Sequence, residues 1–278
     1  MLADALRFIR FSHTVFALPF ALGAMLVAAA GWPTLGLFGL ILLAMIFART
    51  SAMAFNRVVD WEMDRRNPRT EGRHRLMPKP TAIGLVVISA IGFVATTWFI
   101  NRLCFWLSPV ALVIVFFYSL TKRFTHAAQF FLGLALSVSP MGAWFAVTGA
   151  WSWTPAWLAA GVLLWVAGFD LIYATQDYEF DRAEGLHSMV VKLGIPGALR
   201  LAKALHVAAL GFFAVFGWMA GMHGVYWTGL LLIAGALVFE HRSAAKLDVA
   251  GINRAFFLVN ACVGAIFLLG VGLDVFLN

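Results

Sequence analysis

Long apolar runs, each of about twenty residues, recur along the whole chain and constrain its fold more than any other feature. An α-helix needs roughly 20 mostly apolar residues to cross the hydrocarbon of a bilayer. In lipid, its backbone must satisfy its own hydrogen bonds. Nine such runs are read, over about Thr14–Ala30, Leu35–Asp64, Thr81–Ile100, Leu103–Leu120, Ala127–Thr148, Pro155–Asp181, Gly197–Ala220, Val225–Arg242 and Asn253–Phe276. Turn-forming residues separate several of them: Gly31-Trp32-Pro33, Asn101-Arg102, Gly149 to Thr154 and Gly221 to Gly224. Only 12% of the 278 residues are charged, about half the share of an ordinary soluble domain. The expected fold is therefore all-α: a polytopic membrane bundle of about nine transmembrane helices, forming one integral membrane domain over residues 1–278. The stretch from Leu2 to Ala30 has the basic start, apolar middle and small-residue end of a signal peptide. The charge distribution needs it as the first span instead.

Cytoplasmic loops are enriched in Lys and Arg. The loops after the first, third, fifth and seventh spans hold a single basic residue, Arg102. The N-terminal segment and the other loops hold nearly all the rest, among them Arg7, Arg10, Arg65, Arg66, Arg69, Arg73, Arg75, Lys79, Lys122, Arg123, Arg182, Lys192, Arg200, Lys203, Arg242, Lys246 and Arg254. This segregation puts the N-terminus in the cytoplasm and, with nine spans, the C-terminus outside. Cys104 and Cys262 lie in apolar runs with no metal-ligand or CxxC spacing, and are expected to be small buried packing residues.

In such a chain the polar exceptions inside the spans are the informative residues. The second span ends Asn56-Arg-Val-Val-Asp60-Trp-Glu-Met-Asp64. On a helix, Asn56, Asp60 and Asp64 form one oxygen-rich stripe about 12 Å long. Arg49 lies two turns deeper on the same face, and Glu62 points elsewhere. The sixth span ends with Asp170, Tyr173, Asp177 and Asp181 at the same spacing. The first cluster alone reads equally as a solvated helix end. Asp170 reads equally as a buried partner of Arg49 or of a neighbouring helix. Two stripes at one membrane depth are harder to dismiss. Like charges at i,i+4 destabilise a helix, and carboxylates are misplaced at a helix C-terminus. A hard divalent cation with oxygen ligands resolves both costs. Mg²⁺ is typically held by one or two carboxylates plus substrate phosphates, which makes a Mg²⁺-bound di- or triphosphate the natural third component. Arg69, Lys122 and Arg123 are the cations placed to meet it. Most other loop cations read as topology signals at lipid headgroups.

At these motifs the chain resembles the UbiA superfamily of intramembrane prenyltransferases. Asn56-x3-Asp60-x3-Asp64 is similar to the family's first aspartate-rich motif, and Asp170-x2-Tyr173-x3-Asp177-x3-Asp181 to its second. Arg69-Thr70-x2-Arg73, Tyr118-x3-Lys122-Arg123, His13-Thr14 to Pro19, Tyr118 to Gly149 and Asn253 to Gly264 also look like the family, especially its quinone-pathway branch. The likeness spans essentially the whole chain. The run His74 to Pro80 departs from the Pro-Leu-Pro-type turn usual after Arg73.

The resemblance implies transfer of a polyprenyl group from a polyprenyl diphosphate to a small aromatic acceptor, of the 4-hydroxybenzoate or 1,4-dihydroxy-6-naphthoate type, in ubiquinone or menaquinone synthesis. By the same resemblance, Asp60, Asp64, Asp177 and Asp181 bind Mg²⁺, and Asn56 binds or positions the same cluster. Lys122, Arg123 and Arg69 contact the diphosphate. Tyr173 and Asp170 line the reaction chamber, and Arg49 or Arg10 holds an acceptor carboxylate. The expected partners are these substrates and the lipid bilayer, with no nucleic acid. The expected location is a bacterial inner membrane with the site toward the cytoplasm. The chief rival is a cation-coupled transporter. Transporter sites, however, lie near the midplane on broken helices in repeated halves, whereas these acids cluster toward one face.

Overall fold

A computed structural model of the chain describes residues 8, 16–66, 70, 72, 75–245 and 249–278, with the backbone alone for 249–256. Among the described residues the order is α1 (Leu18–Ala29), α2 (Leu35–Val59), α3 (Trp61–Arg66), α4 (Lys79–Ile100), α5 (Arg102–Thr121), α6 (Ala128–Thr148) and α7 (Trp153–Ala174). A 3₁₀ turn (Thr175–Asp177) follows, then α8 (Tyr178–Ala183), α9 (Met189–Met219), α10 (Gly224–Ala244) and α11 (Val249–Leu277). Eight helical stretches are long and apolar enough to cross a membrane, and α1 is a shorter apolar helix. The nine expected runs are all present in this form.

Local chemistry sets the ends. Thr34 caps α2 by accepting the Leu37 N–H at 3.3 Å, and Ser152 caps α7 by accepting that of Thr154 at 3.2 Å. Pro80, in the first turn of α4, costs no hydrogen bond there. The seventh run begins earlier than its apolar stretch. A helical turn from Met189 precedes it, separated by Gly194 at φ 67° in the left-handed region and by Pro196, which has no N–H.

The chain divides into two compact units. Among the described residues, the first holds Phe8 and residues 34–120, and the second holds residues 16–33 and 121–278. In the first unit α2 and α4 pack along their lengths. The Phe47 ring lies where a side chain on Gly92 would sit, so the two helices approach closely. Near the polar end of α2, Phe8, Ala54 and Ala82 are buried together, flanked by Met53, Trp61 and Leu85. The Phe55 and Phe116 rings, 4.6 Å apart, join α5 to α2.

Among the described residues of the second unit, α7 holds more buried residues than any other helix and packs between α6 and α9. Leu158, Val162, Trp165, Val166 and Phe169 lie in its core with Phe20 of α1, Phe213 of α9 and Phe267 of α11. A side chain at Gly133 would collide with the Leu163 carbonyl, so α6 and α7 meet nearly backbone to backbone. At the start of α10, buried Asp274 of α11 accepts the N–H groups of His223 at 2.8 Å and Tyr226 at 2.9 Å.

Cys104 is buried as expected, but Cys262 is exposed. It lies on an outward face of α11, where an apolar sulfur is equally at home in lipid.

Candidate functional site

The first acidic stripe does not lie on one unbroken helix. α2 ends at Val59, and Asp60 sits at φ −86°, ψ 8° before α3 begins. The hydrogen-bond ladder nevertheless runs through the break. The Asp60 N–H donates to Asn56 O at 3.0 Å, and that of Asp64 to Asp60 O at 2.7 Å. Asn56, Asp60 and Asp64 therefore stay one turn apart on one face. The Asn56 amide donates to Asp60 Oδ2 at 3.3 Å, and the Thr70 hydroxyl donates to the Asp64 carbonyl at 3.0 Å. Glu62 points to the surface and pairs with Arg65 at 3.4 Å.

Two further side chains belong to this cluster. Arg57 is 5% exposed. It donates from Nε to the Phe8 carbonyl and from Nη1 to Asp64 Oδ2, each at 3.4 Å. The Tyr118 phenol at the end of α5 lies within electrostatic range of Arg57, Asp60 and Arg49. The sequence carried a signal for Arg57: it precedes Asp64 by seven residues, two turns on the same face, as Arg49 precedes Asn56. Asp60 itself is 3% exposed, and a carboxylate that deeply buried is costly unless its charge is paired.

The second stripe is also broken. Asp170 and Tyr173, both half-buried, lie on α7. The chain then tightens into the 3₁₀ turn ending at Asp177, and Asp181 follows on α8. The Thr175 hydroxyl donates to Ile172 O at 2.7 Å, a local bond that competes with the α-helical ladder. A 3₁₀ turn advances about 120° per residue rather than 100°, so Asp177 is turned by roughly 60° from the expected stripe. Such mid-helix tightening is frequent at functional positions. Gln176, between the two halves, has both amide atoms buried with no hydrogen-bond partner among the described residues. Sequence reasoning passed over it. The Leu186 N–H donates to Asp181 O at 2.9 Å, and Gly185 at φ 64° ends α8.

Lys122 and Arg123 stand in the turn after α5, half-buried and exposed respectively. His126, three residues on, contacts the Ser188 carbonyl through Nδ1 at 3.2 Å, and its ring is 5.1 Å from that of His187. These contacts tie the basic turn to the loop that follows the second acidic segment, within one unit. Arg10 and Arg69 lie outside the described residues, as do His13 and Arg73.

Among the described residues no three His, Cys, Asp or Glu side chains are gathered closely enough to hold an ion by themselves. The donor set still suits Mg²⁺. It consists of oxygens alone, one or two carboxylates at a time, and Mg²⁺ normally completes its octahedron with water and substrate phosphate. Asp60 and Asp64 would hold it in the first unit, Asp177 and Asp181 in the second.

Comparison with known proteins gives one consistent answer. The model of the family described as the UbiA prenyltransferase family matches residues 17–261. The 4-hydroxybenzoate octaprenyltransferase of Shewanella sediminis is 28% identical over 254 residues, which cover 90% of this chain and 88% of that protein. The apo structure of a UbiA homolog from Aeropyrum pernix K1 superposes with a TM-score of 0.85 at 31% identity, covering 94% of this chain and 98% of that one. A UbiA homolog from Archaeoglobus fulgidus bound to GPP and Mg²⁺ shares the fold, with a TM-score of 0.68 at 21% identity and coverage of 95% and 99%.

Proposed function

The chain belongs to the UbiA prenyltransferase family and is a polyprenyltransferase. From that premise we propose that it transfers the prenyl group of a polyprenyl diphosphate to a small aromatic acceptor, in a Mg²⁺-dependent reaction of quinone synthesis. The acceptor is of the 4-hydroxybenzoate or 1,4-dihydroxy-6-naphthoate type. The observation that carries the reading is the stripe at the end of α2. A nearly buried carboxylate, Asp60, is held by Asn56, with Asp64 one turn on and Arg57 beside it. A family relative of known ligands, the Archaeoglobus protein, was solved with GPP and Mg²⁺.

In this reading Asp60, Asp64, Asp177 and Asp181 bind the donor diphosphate through Mg²⁺, which supplies charge neutralisation at the leaving group when bound. Asn56 fixes the Asp60 carboxylate, and Arg57 fixes that of Asp64. Lys122, Arg123 and Arg69 meet the diphosphate oxygens and stabilise charge as the carbon–oxygen bond breaks. Tyr173 and Asp170 line the chamber in which the allylic cation meets the ring, and Arg49 or Arg10 holds an acceptor carboxylate. The surrounding spans keep water from the cation, which would otherwise be hydrolysed. One whole domain carries out the reaction, with its site toward the cytoplasm of a bacterial inner membrane.

The test incubates membranes containing the protein with Mg²⁺, a polyprenyl diphosphate and each acceptor in turn, with mass spectrometry of the products. A prenylated ring is expected with one acceptor, dependent on Mg²⁺, and lost in the folded Asp60→Asn and Asp177→Asn proteins. Full activity in either variant would overturn these assignments.

A further inference from the structure

A second polar cluster lies within the spans of the larger unit, apart from both acidic stripes. His206 of α9 and Glu240 of α10 are 2% and 1% exposed, and Asn260 of α11 is fully buried. His206 Nε2 is 3.1 Å from the Trp165 carbonyl of α7. Its Nδ1 is 3.0 Å from His241 Nε2 and 3.7 Å from Glu240 Oε2. Asn260 donates to Glu240 Oε1 at 3.1 Å. Glu240 Oε2 is buried with no hydrogen-bond partner among the described residues. Gly168 of α7 lies where any side chain would strike the His206 ring, so the ring is held against α7.

The hydrogen positions follow from these contacts. A carbonyl only accepts, so His206 Nε2 carries a hydrogen in every protonation state, and Nδ1 is the atom that gains or loses one. With Nδ1 bare, it accepts the N–H of His241. Glu240 must then hold its own proton, because a lone carboxylate that is 1% exposed is costly. With a proton moved to the imidazole pair, Glu240 becomes the carboxylate beside it, and Oε2 gains the partner it lacks. Both arrangements are neutral and contain the same number of protons. Removing one leaves an unpaired buried anion. Adding one leaves an unpaired buried cation, with Lys203 of α9 already within electrostatic range of His241.

We infer that Glu240, His206 and His241 form a proton-binding site packed among the helices at the C-terminal end of α10, holding one shared proton that joins α7, α9, α10 and α11. Loss of that proton at alkaline pH loosens this part of the fold. Asn260 is a positioning residue that presents Glu240 Oε2 toward the imidazoles.

The test measures the apparent unfolding temperature of the detergent-solubilised protein from pH 6 to pH 10, with infrared spectra along the same titration. The native protein should lose about 3 °C or more toward the alkaline end, together with a buried carboxylic-acid carbonyl band. Glu240→Gln keeps the shape and the acceptor for Asn260 but has no proton to lose, so both changes should vanish. A native protein indifferent to pH, or an unchanged alkaline loss in Glu240→Gln, would overturn the inference. Should that variant fail to fold, ¹⁵N-histidine resonances and infrared spectra of the native protein decide. Either Nδ1 of His206 should titrate while its Nε2 stays protonated, or a carboxylic-acid band that shifts on ¹³C-glutamate labelling should disappear toward pH 10, and neither change occurring would sink the proposal.

Discussion

A buried arginine is a heavy expense for a membrane protein, and Arg57 meets it with two specific contacts. Its fork spans the Phe8 carbonyl and Asp64, so it joins Phe8 to the first acidic stripe. Removing one member of such a pair strands the other. Arg57→Met is therefore expected to destabilise the protein by about 3 kcal/mol, read as a lower unfolding temperature in detergent. Arg57→Lys keeps the charge but not the fork and should recover only part of the loss. An Arg57→Met protein as stable as the native one would show that Asp64 needs no internal counter-charge. The pairing is a matter of side-chain reach. Spacing put Arg57 on the face of Asp64, but the second contact, to a carbonyl 49 residues away, has no local sequence signal.

At the scale of elements, the start of α10 depends on a residue of α11. Two of the orphan N–H groups at that N-terminus are satisfied by Asp274, at 2.8 and 2.9 Å. Asp274→Ala leaves them without an acceptor and should cost about 1–3 kcal/mol of stability. Asp274→Asn retains an accepting oxygen and should cost less. Thermal unfolding of both variants, with prenyl transfer measured beside it, separates this role from catalysis: activity per folded protein should be unchanged. The capping side chain lies 51 residues after His223 and 48 after Tyr226, so reading the sequence along α10 could not find it. The same limit explains the broken stripes. Apolar run length locates a span to within a few residues, as for Lys79–Ile100 and Ala128–Thr148. It carries no information on the φ and ψ of Asp60 or on the tightening at Thr175–Asp177, which arise from local hydrogen bonds. At Gly194 and Pro196 the breaking residues were in plain view, but the apolar turn before them, Met189 to Leu193, is too short to look like a span.

For the molecule as a whole, the composition that made the spans obvious also concealed the core. In lipid an outward face is as apolar as an inward one, so Trp165 at 0% exposure and Trp98 at 65% look alike in sequence. The polar residues did not share this ambiguity. The uneven loop charges gave an orientation, which predicts that a reporter fused after Asn278 is active outside the cell and one inserted at Gly185 inside. A cytoplasmic signal from the first fusion would overturn the count of nine crossings.

The acidic stripes make a stronger demand at the same scale, because the proposed function gives both to one diphosphate. If both act on that ligand, disabling one removes most of what the other contributes, as for catalytic groups that work together. Asp64→Asn and Asp181→Asn should each lower kcat/KM by about 10²-fold, a loss typical of one electrostatic contact at a reacting group. The double variant should then also lose about 10²-fold, whereas independent sites would multiply to about 10⁴-fold. Steady-state rates at saturating Mg²⁺ for the native protein, both single variants and the double give the coupling directly. Multiplicative losses would mean that the two stripes serve separate ligands. The shared-diphosphate assignment would then fail, even with prenyl transfer itself intact.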